Sequence, residues 1–417
     1  MQDFTFVCAD LRNGARALSL CTAAQKNKAL AGVAGALALC KDAVLNANAR
    51  DVERSRKAGA AESLVDRLAL TPARYDGMIE ALHTVIRRRD PIGEEITGWR
   101  LANGVRVRQV RVPLGVAAVI YESRPAVTVD AFALAYKSGN AILLRGSSAA
   151  LESNRALAAA ILQGLRDSPD GIESAFALLD SGERSEVERI LNAAGLIDVV
   201  LPRGGADLIR MVMKTAKIPV IETGSGVCHV FVDQSACIDA AVSIVENAKL
   251  QRPGVCNAIE TVVVHRAVME EFLNALVRRF AGRAELRCDA ESYELLKGSG
   301  RVVRAAESDF GFEFLDEILA VKIVGGFDEA VDFINAHTTK HSDCIVTRNL
   351  ENAEKFQMRI DAACVYVNAS TRFTDGGEFG FGAELGISTQ KLHVRGPMGL
   401  TALTTTKYYI NGEGQIR

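Results

Sequence analysis

The sequence predicts an α/β fold in which parallel sheets are covered by helices on both faces. Short, continuously apolar segments of strand length alternate with helical segments from Gly115 to Val367, which is typical of parallel strands buried on both faces. The chain has 417 residues, enough for two or three domains whose cores need no disulfide. Its composition, 48% hydrophobic and 24% charged, is ordinary for a globular protein.

Charge and cysteine content narrow the functional class. The net charge is only −2, so the basic excess of a nucleic-acid-binding protein is missing. The nine cysteines include no C-x-x-C pair and the six histidines are dispersed, so no metal site is indicated, and reduced thiols in the cytosol are expected. The first residues lack a signal-peptide pattern, and Ala29–Cys40 is too short to span a bilayer. We therefore expect a cytoplasmic protein without nucleic-acid or membrane partners.

The N-terminal part of the chain combines helices with a hairpin. Residues 1–90 carry Ala, Leu, Lys and Arg at amphipathic spacing, which predicts an almost wholly helical segment. Thr71-Pro72 is a helix start, with a capping hydroxyl before a proline at the first helical position. Asn103-Gly104 separates two extended arms within residues 99–112, which predicts a β-hairpin.

Two α/β series follow the hairpin. The first predicts strands at 116–121, 141–144, 175–179, 197–201 and 219–222, with helices at 125–138, 149–166, 185–191 and 206–214. The second predicts strands at 230–232, 261–265, 320–324, 344–346 and 364–367, with helices at 236–250, 267–280, 328–337 and 350–358. Residues 368–399 are predicted to form a glycine-rich loop region, and 400–410 a closing strand.

Three strands of the first series are predicted to end in glycine-bearing segments. The segments are Leu144-Arg145-Gly146, Leu201-Pro202-Arg203-Gly204-Gly205 and Glu222-Thr223-Gly224-Ser225-Gly226. Glycine lets a ligand approach the backbone closely, and the helix that begins at 206 offers free N–H groups to an anion. Each segment alone is more often a simple turn. Three such strand ends in one sheet favour a nucleotide site, although the G-x-G-x-x-G and Walker patterns are missing.

Cys256 is the candidate nucleophile. It follows Gln-Arg-Pro-Gly, which ends a helical run, and precedes an apolar strand. A thiol on such a bend lies near backbone N–H groups that stabilise a thiolate, whereas the simpler interpretation is one more packed cysteine. Arg124 could bind a carboxylate or phosphate, or pair with Glu122 on the surface. Glu222 could be a base, or the partner of a helix N-terminus.

Six sequence blocks carry a family resemblance. They are Arg111–Val116, Tyr121–Pro125, Pro202–Gly205, Gln251–Asn257, Val365–Gly377 and Ser388–His393. Together they resemble the γ-glutamyl phosphate reductases, or glutamate-5-semialdehyde dehydrogenases, of the aldehyde dehydrogenase superfamily. The resemblance implies an aldehyde-dehydrogenase-like fold with two Rossmann-like domains and a small β oligomerisation element. The NADPH-binding domain would be residues 1–98 and 113–228, the catalytic domain 229–395, and the oligomerisation element 99–112 and 396–417.

The resemblance also implies an activity, namely NADPH-dependent reduction of L-glutamate 5-phosphate to L-glutamate 5-semialdehyde and phosphate in proline biosynthesis. Cys256 would form a thioester, and Asn257 and the Cys256 N–H would stabilise the oxyanion. Glu222 stands 34 residues before Cys256, where hydrolytic relatives carry their general base. Ser123 replaces the oxyanion asparagine of the superfamily. The protein would be a homo-oligomer with glutamate 5-kinase as its functional neighbour.

Further residues are assigned by the same resemblance. Arg145 would contact the 2′-phosphate of NADPH, and Glu317 the nicotinamide ribose. Gly204 and Gly205, in the glycine-bearing strand end described above, are the other candidate cofactor-binding residues. Arg124, Arg252 and Arg372 are candidates for substrate binding, and Arg203 stays open beside them. Two other functions remain: an NAD(P)-dependent semialdehyde dehydrogenase that oxidises and hydrolyses, and a non-catalytic protein that kept the fold.

Overall fold

The computed structural model describes residues 3–180 and 183–417. The chain forms two compact units. The first comprises Met1–Thr223, Gly380–Gly386 and Met398–Arg417, and the second Gly224–Phe379 and Ile387–Pro397. Each unit contains a parallel sheet, so the predicted α/β class is confirmed.

The first unit begins with five helices. They are α1 (Phe4–Ser19), α2 (Ala23–Leu39), α3 (Lys41–Lys57), α4 (Glu62–Leu68) and α5 (Pro72–Arg87). Thr71 caps α5 as expected, because its side chain accepts a hydrogen bond from the Arg74 N–H. Within the described part of the chain, no single helix has the length and apolarity to cross a membrane. Helices α2 and α3 reach the required length and apolarity only when they are taken together, and the chain bends by 66° between them.

A three-stranded antiparallel sheet belongs to the same unit. Strands β1 (Glu95–Arg100) and β2 (Arg106–Pro113) form the expected hairpin, and the last strand, β16 (Thr404–Asn411), pairs with β2. The sheet order is β1-β2-β16. The predicted strand 400–410 starts later than expected, because residues Leu400–Leu403 form a 3-10 turn.

The parallel sheet of the first unit has the order β5-β4-β3-β6. Its strands are β3 (Val116–Tyr121), β4 (Ala141–Arg145), β5 (Phe176–Leu178) and β6 (Val199–Arg203), and its helices are α6 (Ala126–Lys137), α7 (Leu151–Asp167), α8 (Arg184–Leu191) and α9 (Ala206–Thr215). The predicted strand 219–222 is wrong. Only Val220 bridges to Val200, because Pro219 has no N–H to donate and the Thr223 hydroxyl instead donates to the Pro202 carbonyl at 2.9 Å.

The second unit has a seven-stranded sheet in the order β10-β9-β11-β8-β7-β12-β13. Its strands are β7 (Cys228–Val232), β8 (Ile259–His265), β9 (Glu285–Cys288), β10 (Val302–Arg304), β11 (Ile318–Val324), β12 (Ser342–Val346) and β13 (Cys364–Val367). Its helices are α10 (Ile238–Leu250), α11 (Met269–Phe280), α12 (Ala290–Leu296), α13 (Phe327–His337) and α14 (Leu350–Arg359). A short pair, β14 (Ile387–Ser388) and β15 (Gly396–Pro397), completes the unit.

The core of this unit lies on both faces of the sheet. Successive strand residues alternate between two hydrophobic clusters, so that Val230 packs toward α10 and α11 while Phe231 packs toward α13 and α14. All seven strands are parallel, and their amino ends therefore share one edge. The segments that precede β7, β8 and β11 meet at this edge, and they carry Gly226, Cys256 and Glu317 respectively.

Candidate active site

Cys256 lies on a tight turn at the amino edge of the second sheet. The turn is closed by a hydrogen bond from the Ala258 N–H to the Val255 carbonyl at 3.1 Å. Cys256 and Asn257 are its two central residues, directly before β8, and the thiol residue is half-buried. The bend predicted from Gln-Arg-Pro-Gly is therefore present. A partly exposed thiol on such a turn can be approached by a small electrophile.

The Asn257 side chain ties this turn to the loop after β13. Its amide nitrogen donates to the Thr374 carbonyl at 2.9 Å and to the Arg372 carbonyl at 3.4 Å. The Thr371 hydroxyl donates to the Asn257 carbonyl at 2.7 Å. Because both amide hydrogens are used, the side chain links the Cys256 turn to the loop after β13. Stabilisation of an oxyanion by this side chain stays a prediction.

Arg372 lies within electrostatic range of both the Cys256 thiol and Arg252. The Arg372 guanidinium donates to the Asn257 side-chain oxygen and, at 3.0 Å, to that of Gln251. Burial lowers the pKa of Arg372, the Arg252 cation lowers it further, and Asp375 and the Cys256 thiolate oppose both effects. The two guanidinium groups and the thiol thus form one electrostatic cluster. Such cations stabilise a thiolate and can bind a phosphate.

The segment before β7 packs directly under the Cys256 turn. The Cys228 thiol donates to the Cys256 carbonyl at 3.2 Å. A Cβ on Gly226 would lie 1.5 Å from the same carbonyl oxygen, so only glycine fits there. This corrects the prediction that Gly224-Ser225-Gly226 ends a strand of the nucleotide-binding sheet. The segment belongs to the second unit, where the absence of a side chain at Gly226 admits the Cys256 turn.

A buried polar chain extends behind Cys228. His341 Nδ1 lies 3.7 Å from the Cys228 Sγ and 2.8 Å from the Ser342 hydroxyl. That hydroxyl contacts the Thr374 hydroxyl at 2.6 Å, which in turn contacts the Tyr366 hydroxyl at 2.7 Å. Burial raises the pKa of Cys228 well above its ordinary value and lowers that of His341 to about 4. Both groups are therefore neutral at pH 7 and serve as fixed dipoles.

Glu317 stands immediately before β11, the strand next to β8. With Ala320 opposite Thr261 in the ladder, Glu317 lies at the level of Ala258, and it is exposed. A buried ion pair supports the loop that leads to it. Lys249 Nζ lies 2.6 Å from Glu260 Oε2, and Glu260 Oε1 accepts from the Leu315 N–H at 3.3 Å.

Other candidates lie in the first unit. Arg124 is exposed between β3 and α6, where its carbonyl accepts from the Val127 N–H. Ser123 follows β3 as expected, and its N–H donates to the Ser147 hydroxyl at 3.3 Å. Arg203 ends β6 and its guanidinium lies against Gly386. Glu222 is half-buried near the end of the segment Met1–Thr223 of this unit.

Comparison with known proteins places this geometry in a family. The sequence profile of the aldehyde dehydrogenase family matches residues 3–287. The chain belongs to the aldehyde dehydrogenase family. It is 50% identical over 410 residues to gamma-glutamyl phosphate reductase of Alkaliphilus metalliredigens, with 98% of both chains covered. It is 53% identical over 425 residues to gamma-glutamyl phosphate reductase of Treponema pallidum strain Nichols, with 99% of both chains covered.

A solved structure gives the same result. The crystal structure of gamma-glutamyl phosphate reductase from Thermotoga maritima superposes with a TM-score of 0.95 at 46% identity, and 99% of each chain is covered. The resemblance inferred from the six sequence blocks and the aldehyde-dehydrogenase-like fold are both confirmed. The chain is therefore an oxidoreductase of the aldehyde dehydrogenase family.

The family implies a nicotinamide cofactor, and the first unit offers features that fit one. At the start of α9, the Gly205 N–H donates to a Glu122 carboxylate oxygen at 2.8 Å. A Cβ on Gly204 would lie 2.4 Å from that oxygen. The Glu122 carboxylate thus occupies a cradle, formed by Gly204 and the Gly205 N–H, that suits an anionic group such as a cofactor phosphate. Arg145 ends β4 and donates to the Glu183 carbonyl at 3.1 Å, near the same edge of the sheet.

The sequence did not predict the supporting roles of several residues of the site. Gly226 and Cys228 support the turn, while Thr371, Thr374 and Gln251 hold Asn257 and Arg372. No local pattern distinguishes Cys228 from the other eight cysteines. The only available signal was the long block 365–377, whose threonines and arginine fold onto the turn.

Proposed function

We propose that this protein reduces L-glutamate 5-phosphate to L-glutamate 5-semialdehyde, releasing phosphate, as a step of proline biosynthesis. The observation that carries the proposal is the turn Val255–Ala258, which holds the half-buried Cys256 within electrostatic range of Arg372. The relatives named gamma-glutamyl phosphate reductase, at about half identity over nearly the whole chain, support the substrate. Glutamate 5-kinase would supply the acyl phosphate.

The first chemical step uses residues of the second unit alone. The Cys256 thiolate attacks the acyl carbon, the carbon–sulfur bond forms, and the bond from carbon to the phosphate oxygen breaks. Arg252 and Arg372 bind the departing phosphate, because guanidinium groups match its geometry and charge. The product of this step is a γ-glutamyl thioester on Cys256. Arg124, in the first unit, is a candidate for the α-carboxylate.

The second step converts the thioester to the aldehyde. NADPH, when bound, supplies the hydride for this reduction. Backbone N–H groups of the turn stabilise the oxyanion, and the carbon–sulfur bond then breaks to regenerate the Cys256 thiolate. No deacylating water is needed, so Glu222 has no required role as a hydrolytic base.

NADPH is the proposed cofactor. The Gly204-Gly205 cradle would receive a phosphate, which requires Glu122 to move away from the Gly205 N–H. Arg145 would select NADPH over NADH by contacting the 2′-phosphate. Glu317 would hold the nicotinamide ribose. Fluorescence titration of Arg145→Ala should weaken NADPH binding and leave NADH binding nearly unchanged; equal loss for both cofactors would contradict this role.

The sheet β1-β2-β16 is the proposed assembly surface of a homo-oligomer. Trp99, Tyr408 and Ile410 expose 44%, 53% and 65% of their surface on it, more apolar area than a solvated sheet usually presents. We place the enzyme in the cytoplasm, since all nine cysteines are free thiols within residues 3–180 and 183–417.

A reverse assay tests the function. Glutamate 5-semialdehyde and NADP are mixed with the wild-type enzyme, with and without inorganic phosphate, and NADPH formation is followed. The proposal predicts turnover only with phosphate or arsenate, and none with Cys256→Ser. Phosphate-independent turnover would instead indicate the oxidative, hydrolytic dehydrogenase, and an inactive wild type would indicate a non-catalytic protein.

A further inference from the structure

The orientation of one peptide group in the Cys256 turn carries an inference beyond the proposed reaction. The carbonyl of Cys256 receives the Cys228 thiol hydrogen at 3.2 Å. In a planar trans peptide, the C=O and the following N–H point in opposite directions. The Asn257 N–H therefore points away from Cys228. Cys228 is fully buried, so the N–H points away from that part of the core.

Two further contacts fix that peptide group. Gly226 packs so closely against the Cys256 carbonyl that a Cβ would lie 1.5 Å from its oxygen. The Gly226 N–H donates to Glu313 Oε1 at 2.7 Å, and the Val227 N–H donates to the Thr339 hydroxyl at 2.9 Å. The segment that contacts the carbonyl is thus itself held in place by the side chains of Glu313 and Thr339. The turn cannot rotate its peptide without breaking the Cys228 hydrogen bond.

The Asn257 N–H is the group that this arrangement presents. Among residues 3–180 and 183–417, it has no hydrogen-bond acceptor. The Asn257 side chain, in contrast, is engaged with the loop after β13. An N–H next to the nucleophile is a donor of the kind that stabilises a tetrahedral oxyanion.

We propose that Cys228 is a positioning residue, which holds the Cys256–Asn257 peptide so that the Asn257 N–H serves as an oxyanion donor. This inference rests on the proposed function for its natural substrate, but its chemistry applies to any acyl group transferred to Cys256. Cys228 acts as a neutral donor and not as an acid or base, because burial keeps both its thiol and the adjacent His341 uncharged.

Two reactions of Cys256 distinguish a positioning role of Cys228 from a role in core packing alone. Acylation by p-nitrophenyl acetate forms the sulfur–carbon bond, passes through an oxyanion and expels p-nitrophenolate. Alkylation by iodoacetamide is a direct displacement of iodide and involves no oxyanion. Loss of an oriented oxyanion donor slows the first reaction only. Both reactions are followed at Cys256 by peptide mass spectrometry, and neither requires the glutamyl substrate or a cofactor.

The variants are Cys228→Ala, Cys228→Ser and, as a matched control, Cys344→Ala. Cys344 is equally buried on the neighbouring strand β12, and its thiol donates to the Ile345 carbonyl, away from the turn. We expect Cys228→Ala to slow acylation about tenfold while alkylation stays within about twofold of wild type. Cys228→Ser keeps a donor and should restore most of the acylation rate. Cys344→Ala should change neither rate.

The inference is overturned by any of three results. The first is an acylation rate of Cys228→Ala equal to that of wild type. The second is a parallel decrease of the acylation and alkylation rates in Cys228→Ala. The third is a wild-type enzyme whose Cys256 is not acylated at all. Failure of the proposed function is recognised separately, because it appears as phosphate-independent turnover in the reverse assay and leaves the comparison of acylation with alkylation intact.

Discussion

The Arg372 guanidinium donates a hydrogen bond to the side-chain oxygen of Asn257, the residue that follows the nucleophile. The same guanidinium donates to Gln251 at 3.0 Å, at the end of α10. Arg372 therefore joins the loop after β13 to both sides of the Cys256 turn. Its planar group can serve the turn and a bound phosphate at once, because it carries five N–H donors.

Arg372→Lys should lose this dual contact. Lysine keeps the charge but not the planar fork, so we expect kcat/KM for phosphate in the reverse assay to fall about 100-fold. The matched control is Arg304→Lys, an exposed arginine of the same unit that pairs with Glu294 and stacks on Tyr293. A wild-type phosphate KM in Arg372→Lys would contradict the assignment.

Gly226→Ala should inactivate the enzyme without unfolding it. The new methyl group would overlap the Cys256 carbonyl oxygen, so the turn must shift. We expect activity to fall by about 100-fold or more, the scale that follows when a reacting group is misplaced by about 1 Å. Gly326→Ala is the control, since a Cβ there meets nothing within 4 Å and φ is −172°. Full activity of Gly226→Ala, checked by steady-state kinetics, would refute the close packing.

Lys249→Met should destabilise the second unit strongly. It leaves the Glu260 carboxyl buried without its cation, and such a loss costs about 3–5 kcal/mol. Burial already raises the pKa of Glu260 to about 7, against the opposing effect of Lys249. The double variant Lys249→Met/Glu260→Met should recover much of the loss in a calorimetric unfolding experiment. Equal instability of single and double variants would show that the charge is not the cause.

Acid should destabilise the fold through His341. Burial lowers the pKa of this residue to about 4 in the folded protein, whereas an unfolded histidine titrates near 6.5. Between these values the unfolded chain binds a proton that the folded chain does not, so stability falls as the pH falls. By pH 5 the loss from this group is about 2 kcal/mol.

The His341 effect is measured by thermal unfolding at pH 7.5 and pH 5. His341→Gln should show a smaller decrease in Tm between the two than wild type. His83→Gln, which removes a half-buried histidine of α5, should retain the wild-type decrease. An unchanged pH response of His341→Gln would mean that other groups cause the acid instability.

Much of the fold could be predicted because its strands are continuously apolar. Segments such as Val116–Tyr121 and Ile259–His265 are buried along nearly their whole length, so their composition alone identifies them. Strands β9 and β10 went unpredicted because they are short and carry charged residues, as in Glu285–Cys288. They are strands because they pair with neighbouring strands of the sheet, and not because of their local sequence.

One part of the candidate site could likewise be predicted from the sequence, and another part could not. Cys256 could be predicted as a nucleophile because a turn signal and a strand flank it in the sequence. Its support could not, because Cys228 reaches the turn only through the pairing of β7 with β8, in which Cys228 lies opposite Ile259. For Asn257, the residue type suggested an oxyanion donor. In the structure, its side-chain amide instead donates a hydrogen bond to the Thr374 carbonyl in the loop after β13.

The proposed mechanism requires a γ-glutamyl thioester on Cys256 that phosphate discharges. The most direct measurement mixes the enzyme with glutamate 5-semialdehyde and NADP without phosphate, quenches rapidly, and determines the mass of the Cys256 peptide. We expect a burst of NADPH of about one equivalent per subunit and one γ-glutamyl group on that peptide. Added phosphate should remove the label and start turnover. Steady NADPH formation without phosphate, or a label on another cysteine, would contradict the account.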